Sequence, residues 1–137
     1  MRDLRWICKD KGCFRTMCPK LGAFDECFPG RIGMSDIDGV VEIGGRFLFL
    51  EWKAQGGRVG TGQRIMFEQL TALSPKMTVI VVSGHPREMV IETVQVFVGG
   101  KGNAAEPCDL DGLKARISAW AQRSSMARIR PSARVAQ

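Results

Sequence analysis

The stretch from Gly39 to Lys53 constrains the fold more tightly than any other part of the chain. Gly39-Val-Val-Glu-Ile43 and Arg46-Phe-Leu-Phe-Leu-Glu-Trp-Lys53 are rich in β-branched and aromatic residues, and only Gly44-Gly45 separates them. A two-residue hairpin loop demands positive φ at its central positions, which glycine adopts without steric penalty. The spacing therefore predicts an antiparallel hairpin in which Ile43 pairs with Arg46. Carried outward, that register sets Asp38 opposite Glu51 and Asp36 opposite Lys53. Alternate residues of a strand share a face, so Asp36, Asp38, Glu51 and Lys53 are expected to project together, with opposed Cβ atoms about 5 Å apart.

Such a patch carries a chemical implication. Asp opposite Glu is repulsive, and several charged groups beside apolar strands call for a compensating partner. Hard oxygen donors without histidine or thiolate suit Mg²⁺ or Mn²⁺, which keep several waters and accept one or two carboxylates plus phosphate oxygens. An ion of that kind can activate water for attack on a phosphodiester, while Lys53 positions the water or neutralises developing charge. The plainer alternative is a solvated edge hairpin in which Lys53 simply pairs with Asp36.

Around the hairpin, the pattern predicts alternating helices and strands. Residues 1–18 mix charge, cysteine and aromatics without periodicity and are expected to be irregular. Pro19 followed by Leu21, Phe24 and Phe28 suggests a first core helix that Pro29-Gly30 terminates. Ala54 to Gly62 reads as a loop, after which Gln63, Met66, Leu70 and Leu73 recur at helical spacing, with Thr61 as N-cap and an end before Pro75. Met77 to Val82 reads as a strand covered on both faces and closed by Ser83-Gly84-His85-Pro86. Met89 to Val98 reads as a further strand, with Val90, Glu92, Val94, Val96 and Val98 on one side. Leu110, Leu113, Ile117 and Trp120 then mark a last helix capped by Asp109 or Asp111. The expected fold is α/β, a central mixed β-sheet flanked by helices, in one domain over residues 1–121 with a flexible basic tail over 122–137.

Composition narrows the class of partner. With 137 residues, 45% of them hydrophobic and 25% charged, the chain can fill one core, which excludes disordered and fibrous classes. No apolar run is long enough to span a bilayer, and the first residues lack a hydrophobic targeting core, so an intracellular, cytoplasmic setting is expected. The net charge of +6 favours a polyanionic partner such as DNA. Four arginines beyond Gln122, with no acid among them, leave only +2 for the preceding body. Basic tails serve equally as solubilising extensions and as phosphate-gripping arms. Five cysteines cannot all pair within one chain. Cys8, Cys13, Cys18 and Cys27 offer a structural Zn²⁺ site, but without C-x2-C knuckles free thiols are the preferred reading.

The motifs converge on a known pattern. Asp38, a hairpin, Glu51-Trp52-Lys53 and then a helix opening with Gln63 resemble the PD-(D/E)xK nuclease superfamily over about residues 21–83. Ser35-Asp-Ile-Asp-Gly39 together with Phe-Leu-Phe-Leu-Glu-Trp-Lys53 resembles small phage and prophage members related to Holliday-junction resolvases. The resemblance implies a restriction-endonuclease-like core and a Mg²⁺-dependent or Mn²⁺-dependent DNA endonuclease. It implies metal ligation by Asp38, Glu51 and the carbonyl of Trp52, a water-assisting Lys53 and a supporting Gln63. Glu26 or Asp25 would stand for the acid that the family sometimes contributes from its first helix. The sequence departs from the family where Ser35 or Ile37, not proline, precedes the first acid, and Asp36 remains a second candidate for Asp38's role. A host-cell cytoplasm would be the setting for a phage-encoded enzyme, and symmetric cutting of a junction would require a homodimer. The rival class is a non-catalytic nucleic-acid-binding module on the same scaffold.

Three other signals carry less. Gly57-Arg-Val-Gly-Thr-Gly62 imitates a nucleotide loop, but Gln63-Arg64 stands where Lys and Ser or Thr are needed; its glycines could still let helix amides and Arg58 or Arg64 approach a DNA phosphate. Asp36-Ile-Asp38-Gly39 imitates a calcium loop, but Phe47 occupies the position of the bidentate Glu. His85, the single histidine, is read as structural, and Trp52 as core packing.

Overall fold

The computed structural model describes residues 19–129. Where one domain was expected over 1–121, contacts divide the chain into two compact units, Met1–Asp36 and Ile37–Gln137. The described part of the first unit contains a 3-10 helix, Leu21–Cys27, with no buried residue and with Phe24 exposed. The core helix expected after Pro19 is therefore absent there, because Leu21, Phe24 and Phe28 supply too little apolar surface to seat a helix of one or two turns.

The second unit holds β1 (Gly39–Ile43), β2 (Arg46–Lys53), α1 (Thr61–Ala72), β3 (Met77–His85), β4 (Val90–Val98), β5 (Lys101–Gly102), β6 (Glu106–Pro107) and α2 (Leu110–Ile129). Six strands form one mixed open sheet in the order β1-β2-β3-β4-β5, with β6 also on β4. β1 runs antiparallel to β2, β2 parallel to β3, and the remaining pairs are antiparallel. α1 is the crossover that the parallel β2–β3 pair requires. The hairpin register is the expected one, from Ile43↔Arg46 to Gly39↔Leu50. Gly44 and Gly45 both take positive φ, 59° and 81°, and Glu42 Oε2 accepts the Gly45 N–H at 2.7 Å.

The two sheet faces are covered by different helices. On one, Phe67 of α1 packs with Val79, Val81 and Phe97. On the other, Leu113 and Trp120 of α2 pack with Leu48, Ile80, Val82 and Val94. Burial of β3 on both sides from Val79 to Val82 agrees with its unbroken apolar run.

Several local expectations are corrected. α1 starts at Thr61 itself, with Gly60 in the extended N-cap position and no side-chain cap. Its buried face carries Phe67 and Thr71 in place of Met66 and Leu73, which are exposed. Thr71 tolerates burial because its hydroxyl donates to the Phe67 carbonyl at 2.8 Å and accepts the Gly100 N–H at 3.0 Å. β3 does not close at Ser83 but continues to His85 across a bulge: Ser83 pairs with Thr93 while Gly84 pairs with Ile91, leaving Glu92 as the extra residue. The even-numbered face expected from Val90 to Val98 is thereby broken, and Ile91 joins Val94 in the α2-side core. β5 and β6 are two-residue strands without a sequence signal. Of the two candidate caps for α2, Asp109 is the one used, its Oδ1 accepting the Gly112 N–H at 2.8 Å. α2 runs on to Ile129 and buries Ser124, so residues 122–129 continue the helix and are not a separate tail. Among the described residues no helix is long and apolar enough to cross a membrane.

Candidate active site

β2 alternates its side chains between the two faces. Leu48, Leu50 and Trp52 turn toward α2, whereas Phe49 packs with the α1-side core. Glu51 and Lys53 share the phase of Phe49 and so emerge on the α1 side, at the carboxyl end of the strand. Glu51 is 9% exposed. Gln63, in the first turn of α1, donates its amide to Glu51 Oε1 at 2.9 Å, and the Lys53 ammonium lies 3.3 Å from the same oxygen. A buried carboxylate is thus held by one neutral and one cationic donor.

Asp38 approaches from the hairpin's other strand. Paired residues end at Gly39↔Leu50, and Asp38 is the next residue outward, in a bend just before β1. Its Oδ2 accepts the Trp52 N–H at 2.6 Å. The carboxylate therefore substitutes for a main-chain carbonyl and prolongs the ladder by one bond. N–H and C=O of a strand residue point to the same edge, so the Trp52 carbonyl is directed toward the Asp38 side as well. The Trp52 indole packs on the α2-side core and donates to the Gly84 carbonyl at 3.2 Å, which leaves it structural, as expected.

Of the expected quartet, Glu51 and Lys53 meet, while Asp38 bonds the Trp52 amide. Strand pairing stops at Gly39↔Leu50, one residue short of Asp38, and Lys53 pairs with Glu51 on its own strand. Asp36 precedes β1 and belongs to the first unit. Asp25 and Glu26 also lie in the first unit, on its exposed 3-10 helix. Of the four clustered cysteines, Cys27 is exposed with a free thiol. Cys8, Cys13 and Cys18, and with them the zinc expectation, lie outside the described residues. His85 ends β3, exposed and paired with Val90 in the ladder.

The donor set can be compared with the ion it was expected to bind. Among the described residues no group of three or more His, Cys, Asp or Glu side chains could hold a metal. Mg²⁺ needs less than that, one or two carboxylates with water filling the remaining positions. Asp38 and Glu51 each engage one oxygen, and no hydrogen bond among the described residues occupies Asp38 Oδ1 or Glu51 Oε2. Carboxylate and main-chain carbonyl oxygens are hard donors of the chemical kind that such an ion takes.

A cavity of about 400 Å³ that the sequence did not reveal opens over β3 and β4, with neither acid in its lining. Val81 and Ser83 in its wall are the register partners of Glu51 and Lys53. Ser83 and Thr93 join hydroxyls at 2.6 Å, Gln95 lies farther along β4, and Arg58 and Arg64 line the loop and helix side. Arg64 also pairs with Glu68 at 3.0 Å. Open α/β sheets place ligand crevices outside the carboxyl ends of parallel strands, and the β2–β3 pair ends here. The contribution of Ser83, Thr93 and Gln95 depends on how β3 and β4 pair, which leaves no local motif to read. No family model, no curated protein and no solved structure matches this chain.

Proposed function

We propose that this chain is a Mg²⁺-dependent DNA endonuclease with a restriction-endonuclease-like core of PD-(D/E)xK type, acting on branched or structured DNA. The observation that carries the reading is the convergence of Gln63 and Lys53 on the buried Glu51 carboxylate, with Asp38 bonded to the main-chain amide of the next residue, Trp52. The order of hairpin, helix and parallel strand supports it, as do the cavity lined in part by Arg58 and Arg64 and the net charge of +6.

Asp38, Glu51 and the Trp52 carbonyl would hold the metal, which when bound supplies Lewis-acid stabilisation of the phosphodiester and a more acidic water. Gln63 keeps the Glu51 carboxylate in one orientation, leaving Oε2 directed away from its own hydrogen bond. Lys53, tethered to Glu51 Oε1, is positioned to orient the attacking water and to offset negative charge that develops on the phosphate. Arg58 and Arg64 would grip neighbouring phosphates and set the strand's register on the protein. Paired symmetric cuts across a junction would need a homodimer.

The test is a cleavage panel of branched, single-stranded and duplex DNA, with Mg²⁺, Mn²⁺ or EDTA. Metal-dependent cutting that Asp38→Asn, Glu51→Gln and Lys53→Ala each abolish is the expected result. Salt-sensitive binding with no cleavage of any substrate would assign the scaffold to binding alone.

A further inference from the structure

A second group of basic side chains lies at the other end of the sheet and on its other face. Arg46 opens β2 and Lys76 immediately precedes β3, with the Phe47 N–H donating to the Lys76 carbonyl at 2.9 Å. α2 brings Trp120, Arg123 and Ser124 to the same place, and these residues line a cavity of about 300 Å³ together with Thr78 and Val98. An adjoining cavity of about 290 Å³ shares Thr78, Val98, Trp120 and Arg123. Among the described residues, no acidic one lines the first cavity. Among the described residues, no ion pair engages the Arg46, Lys76 or Arg123 side chain. Three like charges around an acid-free cavity repel one another until an anion enters.

A second, independent observation concerns Ser124. It is 1% exposed, and its Oγ is the one buried side-chain polar atom among the described residues without a hydrogen-bond partner. A helical serine ordinarily returns its hydroxyl to the preceding turn, and an unpartnered buried hydroxyl is unfavourable. Ser124 is among the residues lining the cavity, next to Arg123.

We propose that this cavity binds the phosphate group of a nucleotide unit. Arg46, Lys76 and Arg123 neutralise the phosphate, Ser124 and Thr78 donate hydroxyl hydrogens to its oxygens, and Trp120 and Val98 supply an apolar wall for the sugar or base. Guanidinium groups match phosphate geometry with paired donors. A volume of about 300 Å³ is at the lower end for small-molecule sites and suits a single nucleotide unit. Arg46 is five strand residues from Glu51, roughly 17 Å at the usual rise, and Thr78 faces α2 while Glu51 faces α1. The site is therefore separate from the acids, and the proposal does not rest on the endonuclease reading.

The experiment titrates inorganic phosphate, a deoxynucleoside 5′-monophosphate and a short single-stranded oligonucleotide into the full chain in EDTA, by calorimetry. The comparison proteins are Lys76→Gln, Arg123→Gln and Ser124→Ala. Each substitution is expected to weaken binding of mononucleotide or oligonucleotide by about tenfold. Ser124→Ala should at the same time raise the melting temperature, since it removes a buried unpartnered hydroxyl. Lys76 is exposed, so its replacement keeps the test valid should another variant fold poorly. Mononucleotide binding points to a free nucleotide, and binding of the oligonucleotide alone points to a nucleic-acid backbone; either supports the site when the variants lose it. Binding of inorganic phosphate alone, of none of the three probes, or with affinities the variants leave unchanged overturns it.

Discussion

Glu51→Gln separates the chemistry of the site from its contribution to the fold. The replacement keeps shape, and the new side-chain amide could still accept from Gln63 and Lys53 through its neutral carbonyl. What disappears is the charge on an oxygen that now receives donors at 2.9 and 3.3 Å. Hydrogen bonds to ionised acceptors contribute about 1.5–3 kcal/mol and neutral ones about 1 kcal/mol, so the difference is about 1 kcal/mol once the partly exposed ion pair is discounted. For a chain of this size that lowers the melting temperature by about 3–5 °C. With about 10 mM Mg²⁺ and a dissociation constant of order 1 mM, the wild type gains about 1.4 kcal/mol through linkage, and the variant gains none. Cleavage should fall by about three orders of magnitude or more, since the ligand charge is lost and the tether of Lys53 is weakened. The assay pairs melting curves with and without Mg²⁺ against single-turnover cleavage. A variant that melts within about 5 °C of wild type and cuts DNA at an unchanged rate would refute the reasoning, whatever the cause of the small stability loss.

Three further outcomes follow from particular contacts. Lys53→Gln should leave the fold intact, because Lys53 sits only partly buried beside Glu51, but reduce cleavage about 100-fold or more; a rate within about threefold of wild type would remove Lys53 from the chemistry. Gly84→Ala should cost about 3 kcal/mol or more in chemical denaturation, since its φ is 152° and a Cβ there would fall 1.9 Å from the Val90 carbonyl oxygen at the bulge; a loss below about 1 kcal/mol would place the bulge elsewhere. Asp109→Ala should cost about 1 kcal/mol in urea denaturation through loss of the α2 cap, and an unchanged midpoint would argue against the Asp109 to Gly112 bond.

Some residues disclosed their position in the sequence for reasons that are entirely local. Gly44-Gly45 can form a two-residue turn almost regardless of surroundings, and once the turn is set the register of Val40, Val41, Phe49 and Leu50 follows by counting. The long apolar run at Val79–Val82 had to be covered on both sides, and it is. Met66 and Leu73 misled because apolar side chains at helical spacing are common on exposed faces, while Thr71 was passed over because its burial depends on two hydrogen-bond partners, one of them Gly100 on a distant turn. The bulge at Gly84 shifted the phase of β4 and defeated a period-two reading that was sound up to that point. Arg46, Lys76, Arg123 and Ser124 lie far apart in the chain and carry no shared motif, so only their meeting around one cavity connects them.

Local chemistry along the chain was enough to dictate the hairpin and its register from Ile43↔Arg46 to Gly39↔Leu50, because a turn of two glycines and the two-residue period of a strand are properties of neighbouring residues. That Gln63 and Lys53 meet on the same oxygen of Glu51, and that a cavity lined by Ser83, Thr93, Arg58 and Arg64 opens over the neighbouring strands, became visible only in three dimensions. Those outcomes depend on where α1 settles over the parallel β2–β3 pair, and that position is set by burying Phe67 against Val79, Val81 and Phe97, residues up to 30 positions away. Packing free energy sums over contacts that are remote along the chain, and a local pattern carries no record of that sum.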